Sequence, residues 1–122
     1  MSIAALVNTI RAAALVVAML LVFACGGSGG GGSPVATNTV NLPPSYKFVP
    51  ADVSVPAGTT VTWTNNDNFT HSVEFTDGGL PTQPMQMNPG QAVTFKFSNA
   101  GTFHYRCSFH PQNMKGSVVV GP

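Results

Sequence analysis

Charged residues are scarce in this chain of 122 residues, where they make up 7% of the composition, and there are only two cysteines. The part that follows residue 39 carries four basic and four acidic side chains, so it has no net charge. A domain without an excess of either sign lacks strong electrostatic steering toward nucleic acid or a highly charged partner. We therefore expect no nucleic-acid partner. No helical periodicity and no internal repeat is visible beyond the first 25 residues.

An apolar run occupies residues 12–24, after Arg11 and before Cys25. It is shorter than the roughly 20 apolar residues that a comfortable membrane span needs. The segment Val22-Phe23-Ala24-Cys25 resembles a bacterial lipobox, which implies that the cysteine receives a lipid and becomes the mature N-terminus. We predict a signal peptide at residues 1–24, export to the periplasm or cell surface, and a membrane anchor on Cys25. An uncleaved signal anchor and an ordinary cleaved signal remain alternatives, and both also export the domain.

Glycine and serine dominate residues 26–33, which is the composition of a flexible linker. Residues 34–39 continue with small and polar side chains. The predicted organisation is a linker at 25–39, joined to one folded domain at 40–122.

The folded domain is predicted to be all-β, because its apolar residues alternate and turn residues separate the short segments. Val61 and Trp63 share one face of such a segment, as do Phe103, Tyr105 and Cys107 of another. The strongest strand candidates are 59–64, 71–75, 91–97, 101–107 and 116–120, with earlier candidates at 46–49 and 52–55 on either side of Pro50. Short strands at this spacing favour a β-sandwich of about seven to eight strands.

A thiol, an imidazole and a thioether lie within eight residues of each other, at Cys107, His110 and Met114, and His71 lies far upstream. Two histidines and one cysteine, with a methionine as a weak fourth ligand, form the ligand set of a blue-copper electron-transfer site. Each residue alone has an ordinary structural explanation, such as a strand histidine, a buried cysteine or a gap-filling methionine. Their order on an all-β pattern predicts one copper ion bound by all four.

Residues 48–120 resemble the small cupredoxins of the plastocyanin, amicyanin and pseudoazurin group. The matching segments are 55–65, 71–73, 101–110 and 114–116. The resemblance implies a Greek-key β-sandwich with copper at one end, where His71 comes from an upstream strand and Cys107, His110 and Met114 come from one loop. It also implies a monomeric one-electron carrier outside the cytoplasm, which is not an enzyme and works with redox proteins as partners.

Competing functions differ in the residues that they require. A copper oxidase needs His-x-His pairs and a dinuclear copper centre needs a second cysteine in the loop, and this chain has neither. A copper chaperone or storage module and a metal-free adhesion domain remain open. We interpret His104 as a surface histidine, and Met85 and Met87 as packing or docking residues.

Two further expectations concern the surroundings of the site. Ser72 occupies a position where the family often has an asparagine that braces the cysteine loop, so we expect its hydroxyl or backbone to do this more weakly; an ordinary strand serine is the alternative. The resemblance also implies that His110 lies at the surface in an apolar patch.

We expect that patch to consist of Phe109 and Pro111, completed by Leu80 and Pro81. Alternatively, Leu80 packs beneath the loop.

Overall fold

The computed structural model describes residues 32–122. The predicted signal peptide at 1–24, the predicted lipidation site Cys25 and residues 26–31 of the predicted linker lie outside the described residues. Between residues 32 and 122, no helix is long and apolar enough to cross a membrane.

The described part of the chain forms nine β-strands in two sheets. The strands are β1 (Val35–Ala36), β2 (Thr39–Leu42), β3 (Asp52–Pro56), β4 (Thr59–Asn65), β5 (His71–Phe75), β6 (Met85–Met87), β7 (Ala92–Phe97), β8 (Gly101–Arg106) and β9 (Lys115–Gly121). One sheet has six strands in the order β1-β3-β9-β8-β5-β6, and the other has three in the order β2-β4-β7. The prediction of an all-β fold is confirmed.

The strands differ from the prediction, because β1, β2 and β6 were not among the candidates and one candidate forms no strand. Residues 46–49 do not form a strand: Tyr46 has a left-handed backbone, and Val49 makes only an isolated bridge to Asn41. The sheet also begins earlier than residue 40, because Val35 and Ala36 pair in parallel with β3. Two residues carry too little alternation to be recognised as a strand in the sequence.

The core lies between the two sheets and follows from the alternation of apolar residues along the strands. Val61 and Trp63 of β4 are fully buried, and the Trp63 ring packs edge-on against Tyr105 of β8 at a centroid distance of 5.3 Å. Phe75 and Phe97 pack around the same indole at 6.2 and 6.4 Å. This aromatic cluster fixes β4, β5, β7 and β8 relative to each other.

Strand directions determine which residues meet at each end of the sandwich. Because β5 and β8 are antiparallel, with Glu74 opposite Arg106, the start of β5 extends past the end of β8, alongside the segment that follows β8. Because β8 and β9 are also antiparallel, the connection between Arg106 and Lys115 closes at that same end. His71 and the whole segment 107–114 are thereby brought together.

Candidate metal centre

Three of the predicted ligands converge at this end of the sandwich. The Nδ1 atoms of His71 and His110 each lie 3.8 Å from the Sγ atom of Cys107, and one donor atom from each residue lies within 4.8 Å of the others. A nitrogen and a sulfur bonded to one ion at about 2.0–2.3 Å are separated by roughly 3.5–3.7 Å. The donor set and its spacing therefore fit a single metal ion.

The chemistry of these donors also fits copper. Thiolate sulfur is a soft ligand that suits Cu(I), whereas imidazole nitrogen suits both oxidation states. His71 and Cys107 are fully buried and His110 is half-buried, so only one of the three donors is near the surface. An ion held there would be shielded from solvent on the side of His71 and Cys107. A partner molecule could approach it from the side of His110.

The loop that carries Cys107 and His110 is closed by its own backbone. The Cys107 N–H donates to the Met114 carbonyl at 3.0 Å, and the N–H groups of Asn113 and Met114 both donate to the His110 carbonyl. Met114 is fully buried, and its backbone is hydrogen-bonded directly to that of Cys107. The structure thus places the fourth predicted ligand inside the domain, beside the cysteine.

A buried carboxylate supports His71. The Nε2 atom of His71 lies 2.8 Å from Oδ2 of Asp67, and both side chains are almost completely buried. This hydrogen bond lowers the pKa of the Asp67 carboxyl, and it assigns the ring proton to Nε2 when Nδ1 is a ligand. Carboxylate–histidine–metal arrangements of this kind orient the ring and raise its basicity. Sequence reasoning missed Asp67, although an acidic residue four positions before the histidine was visible.

Asn65 organises the turn between β4 and β5 that holds this carboxylate. Its Nδ2 donates to the carbonyls of Phe69 and Met87 at 2.7 and 3.0 Å, and its Oδ1 accepts from the Asp67 N–H at 2.9 Å. The Asn65 side chain is fully buried and therefore has its polar atoms satisfied within the protein. The hydrogen bonds of this buried side chain hold the turn that precedes His71, the first residue of β5.

Ser72 contacts the cysteine loop, as expected from the sequence. Its Oγ accepts a hydrogen bond from the Ser108 N–H at 2.9 Å, lies 2.7 Å from the Ser108 hydroxyl, and is 3.8 Å from Sγ of Cys107. The contact between Ser72 and the loop is therefore confirmed, and it is made by the hydroxyl. The effect of this contact on the metal stays a prediction.

Aromatic residues lie close to His110 in space or in sequence. The Tyr46 ring packs edge-on against the His110 ring at 4.8 Å and stacks on Phe69 at 5.9 Å, while Phe69 and Phe109 are 57% and 52% exposed. We call Tyr46, Phe69 and Phe109 the aromatic ledge. Tyr46 and Phe69 come from loops far from Cys107 in sequence, which is why the sequence did not reveal them.

The predicted contribution of Leu80 to this patch is wrong. Chain direction carries Leu80 away from the metal end, since it follows β5, and it is half-buried against the core. It lines a cavity with Phe95, Phe103 and the turn at Ser98 that joins β7 to β8. That turn precedes β8, whereas the metal site follows it. Leu80 and the loop that includes Pro81 therefore lie at the opposite end of the sandwich.

The other sequence interpretations concern residues outside the cluster. His104 is exposed and its Nδ1 lies 2.9 Å from Asp77, which confirms a surface position. Met87 is fully buried on β6 directly opposite His71, and Met85 is half-buried against the core. Both methionines are packing residues in this structure.

Comparison with known proteins supports the same conclusion. A family model described as copper binding proteins, plastocyanin/azurin family, matches residues 38–121. Plastocyanin from Scenedesmus fuscus is 35% identical over 83 residues, covering 60% of this chain and 85% of the relative. Amicyanin-alpha from Methylorubrum extorquens is 38% identical over 77 residues, covering 61% of this chain and 64% of the relative.

Solved structures agree with the sequence comparison. A purple cupredoxin from Nitrosopumilus maritimus superposes with a TM-score of 0.63 at 30% identity, covering 70% of this chain and all of that chain. The reduced state of an amicyanin mutant gives a TM-score of 0.62 at 34% identity, covering 73% of this chain and 92% of that chain. With its copper-compatible cluster of His71, Cys107 and His110, the chain belongs to the plastocyanin/azurin family of copper-binding proteins, which bind one copper ion.

Proposed function

We propose that this protein is a type 1 copper protein that carries single electrons between redox proteins outside the cytoplasm. His71, Cys107 and His110 would hold the copper ion, with Met114 as a weaker fourth ligand. The observation that carries the proposal is the convergence of two imidazole Nδ1 atoms on one buried thiol at 3.8 Å. Bound copper supplies the one-electron Cu(II)/Cu(I) couple.

The protein residues hold the donors still while the charge of the site changes. The Asp67 carboxylate fixes the His71 ring, the Ser72 hydroxyl holds the backbone after Cys107, and the Cys107–Met114 hydrogen bond closes the loop. Ligands that are preset by such outer partners have little rearrangement to make on gaining or losing an electron. This property suits a carrier better than a copper chaperone, which has to release its ion.

Electrons enter and leave through His110, the half-exposed ligand, at the aromatic ledge. The ledge is apolar and the domain has no net charge, so a partner is not held by strong electrostatic attraction. Brief redox encounters of this kind bury less than roughly 1,200 Å² in total. We infer that the partners are redox proteins with a small apolar contact face.

Location and anchoring belong to the same proposal. The basic start, apolar run and Val22-Phe23-Ala24-Cys25 segment support export of the domain and a lipid anchor on Cys25. A glycine-rich tether between the anchor and the domain suits a monomeric carrier that reaches several partners. Mass determination of the mature protein tests the anchor, because lipid attachment to Cys25 adds the mass of a lipid and cleavage before Cys25 removes residues 1–24.

The docking face is tested by adding one positive charge to the aromatic ledge. Phe109→Lys should slow electron exchange with a redox protein while the reduction potential stays nearly constant. Asn99→Lys is the matched control, because it adds the same charge to an exposed turn at the opposite end of the sandwich. Equal rates for both variants would exclude the ledge as the docking face. A wild-type protein that binds Cu(I) but transfers no electrons would instead be a chaperone or storage module.

A further inference from the structure

Tyr46 has an unusual backbone conformation. Its φ of 54° makes it the one non-glycine residue with a positive φ within residues 32–122. Left-handed backbone is rare for a bulky side chain because Cβ crowds the adjacent carbonyl, so surrounding contacts must hold the residue in place. Such outliers cluster at functional sites.

The contacts of the Tyr46 ring show where that conformation directs it. The ring packs edge-on against His110 at a centroid distance of 4.8 Å and an angle of 67°, and edge-on against His71 at 6.0 Å. It also stacks on Phe69 at 5.9 Å and 26°. The Tyr46 ring therefore lies between the Phe69 ring and the rings of His71 and His110.

The two histidines differ in what holds them. His71 is fully buried, and its Nε2 is hydrogen-bonded to Asp67. His110 is half-buried, and within the described part of the chain no side chain accepts a hydrogen bond from its Nε2. A metal-binding histidine usually has such an outer partner, which fixes its ring. At His110, the place of a polar partner is taken by the Tyr46 ring.

We propose that Tyr46 is a positioning residue, whose ring keeps the His110 imidazole turned with Nδ1 toward Cys107. The inference rests on the proposed function only in taking His110 as a ligand. Edge-to-face packing is directional, so the aromatic ring resists rotation of the imidazole in a way that an aliphatic group does not. The hydroxyl takes no part, since the Tyr46 side chain forms no hydrogen bond with any residue between 32 and 122.

The first experiment measures the order of the His110 ring in the metal-free protein by nuclear magnetic resonance. Wild type and Tyr46→Phe should each show one narrow set of His110 ring signals. Tyr46→Ala should show broadened or doubled signals, because the ring samples a second orientation. Tyr46→Gly relieves the backbone strain and removes the ring, so it should fold and behave like Tyr46→Ala. Val49→Ala is the control, since it removes an exposed apolar side chain three residues from Tyr46 that is not part of the ledge.

The second experiment measures copper affinity by competition with a chelator. Tyr46→Ala and Tyr46→Gly should bind copper roughly two- to tenfold more weakly than wild type, while Tyr46→Phe and Val49→Ala stay close to wild type. One narrow His110 signal set in both ring-deleting variants would overturn the proposal, as would a matching loss of affinity in Val49→Ala. A wild-type protein without a copper–thiolate absorption band would refute the proposed function, while the metal-free spectra would still decide the role of Tyr46.

Discussion

A substitution at Gly116 tests how tightly β9 is packed beside the metal-binding loop. A Cβ atom at this position would overlap the Ala51 carbonyl oxygen, and it would lie 2.5 Å from both Cζ and the hydroxyl oxygen of Tyr105. Real Cβ atoms essentially never approach so closely. The Tyr105 hydroxyl donates to that same carbonyl at 2.6 Å, and burial raises the pKa of the phenol well above its ordinary value. Gly116→Ala therefore has to displace either backbone or this hydrogen bond.

The expected cost has two parts. Overpacking a core costs about 1–3 kcal/mol, and leaving the buried Tyr105 hydroxyl without its acceptor costs about 1–3 kcal/mol more. A total of about 2–6 kcal/mol is a large part of the roughly 5–15 kcal/mol that stabilises a typical domain, and lowers its Tm by an amount on the order of 10–40 °C. Thermal unfolding of the metal-free protein measures this directly. Gly121→Ala is the control on the same strand, because the nearest atom to its Cβ is at 3.9 Å.

Equal melting temperatures for Gly116→Ala and Gly121→Ala would refute this reasoning. They would mean that Tyr105 and the segment at Ala51 can move apart without loss, and that the close contact at β9 does not hold the end of β8 in place.

Three further predictions concern the surroundings of the ligands and one surface pair. Asp67→Asn should keep copper bound and raise the reduction potential, because the negative charge of Asp67 beside His71 stabilises Cu(II) relative to Cu(I). Cyclic voltammetry at one pH measures the potential, and an unchanged value would contradict this prediction. Ser72→Ala should leave copper bound but shift the potential or loosen the cysteine loop, measured by voltammetry and hydrogen exchange; identical values would make it an ordinary strand serine. Hydrogen bonds from the His104 backbone N–H and ring hold the pKa of Asp77 below its ordinary value of 3.8, so their contribution to stability is present above that pH and is lost as the pH falls through the lower folded value. Acid unfolding curves of wild type and Asp77→Asn should therefore converge at low pH, and a constant gap between them would exclude this pair as the cause.

The parts of the fold that the sequence predicts are those with strong local patterns. Alternation identifies β4, β7, β8 and β9 because one face of each strand is more buried than the other, and it also identifies β5, in which Ser72 on the opposite face is buried too. The two-residue β1 and the three-residue β6 carry no comparable signal. Their pairing is determined by neighbouring strands of the sheet.

Some residues of the candidate site could likewise be predicted from the sequence, and others could not. His71, Cys107 and His110 were identifiable because their residue types and order are specific to a copper site. Tyr46 was predicted to lie in a strand and Leu80 at the metal end, and both predictions were wrong, since the sequence does not show which end of the sandwich a loop covers. Chain direction through β5 sends Leu80 to the far end, and the left-handed backbone at Tyr46 turns its ring onto His110.

The central claim is that Cys107 binds copper through its thiolate beside His71 and His110. The most direct measurement is the visible absorption spectrum of the oxidised, copper-loaded domain, recorded for wild type and for Cys107→Ser. A thiolate–Cu(II) bond predicts a strong band near the red end of the spectrum in wild type and its complete loss in the variant, because a hydroxyl is neither soft nor readily ionised. A band that persists in Cys107→Ser, or a copper-loaded wild type without one, would contradict the account.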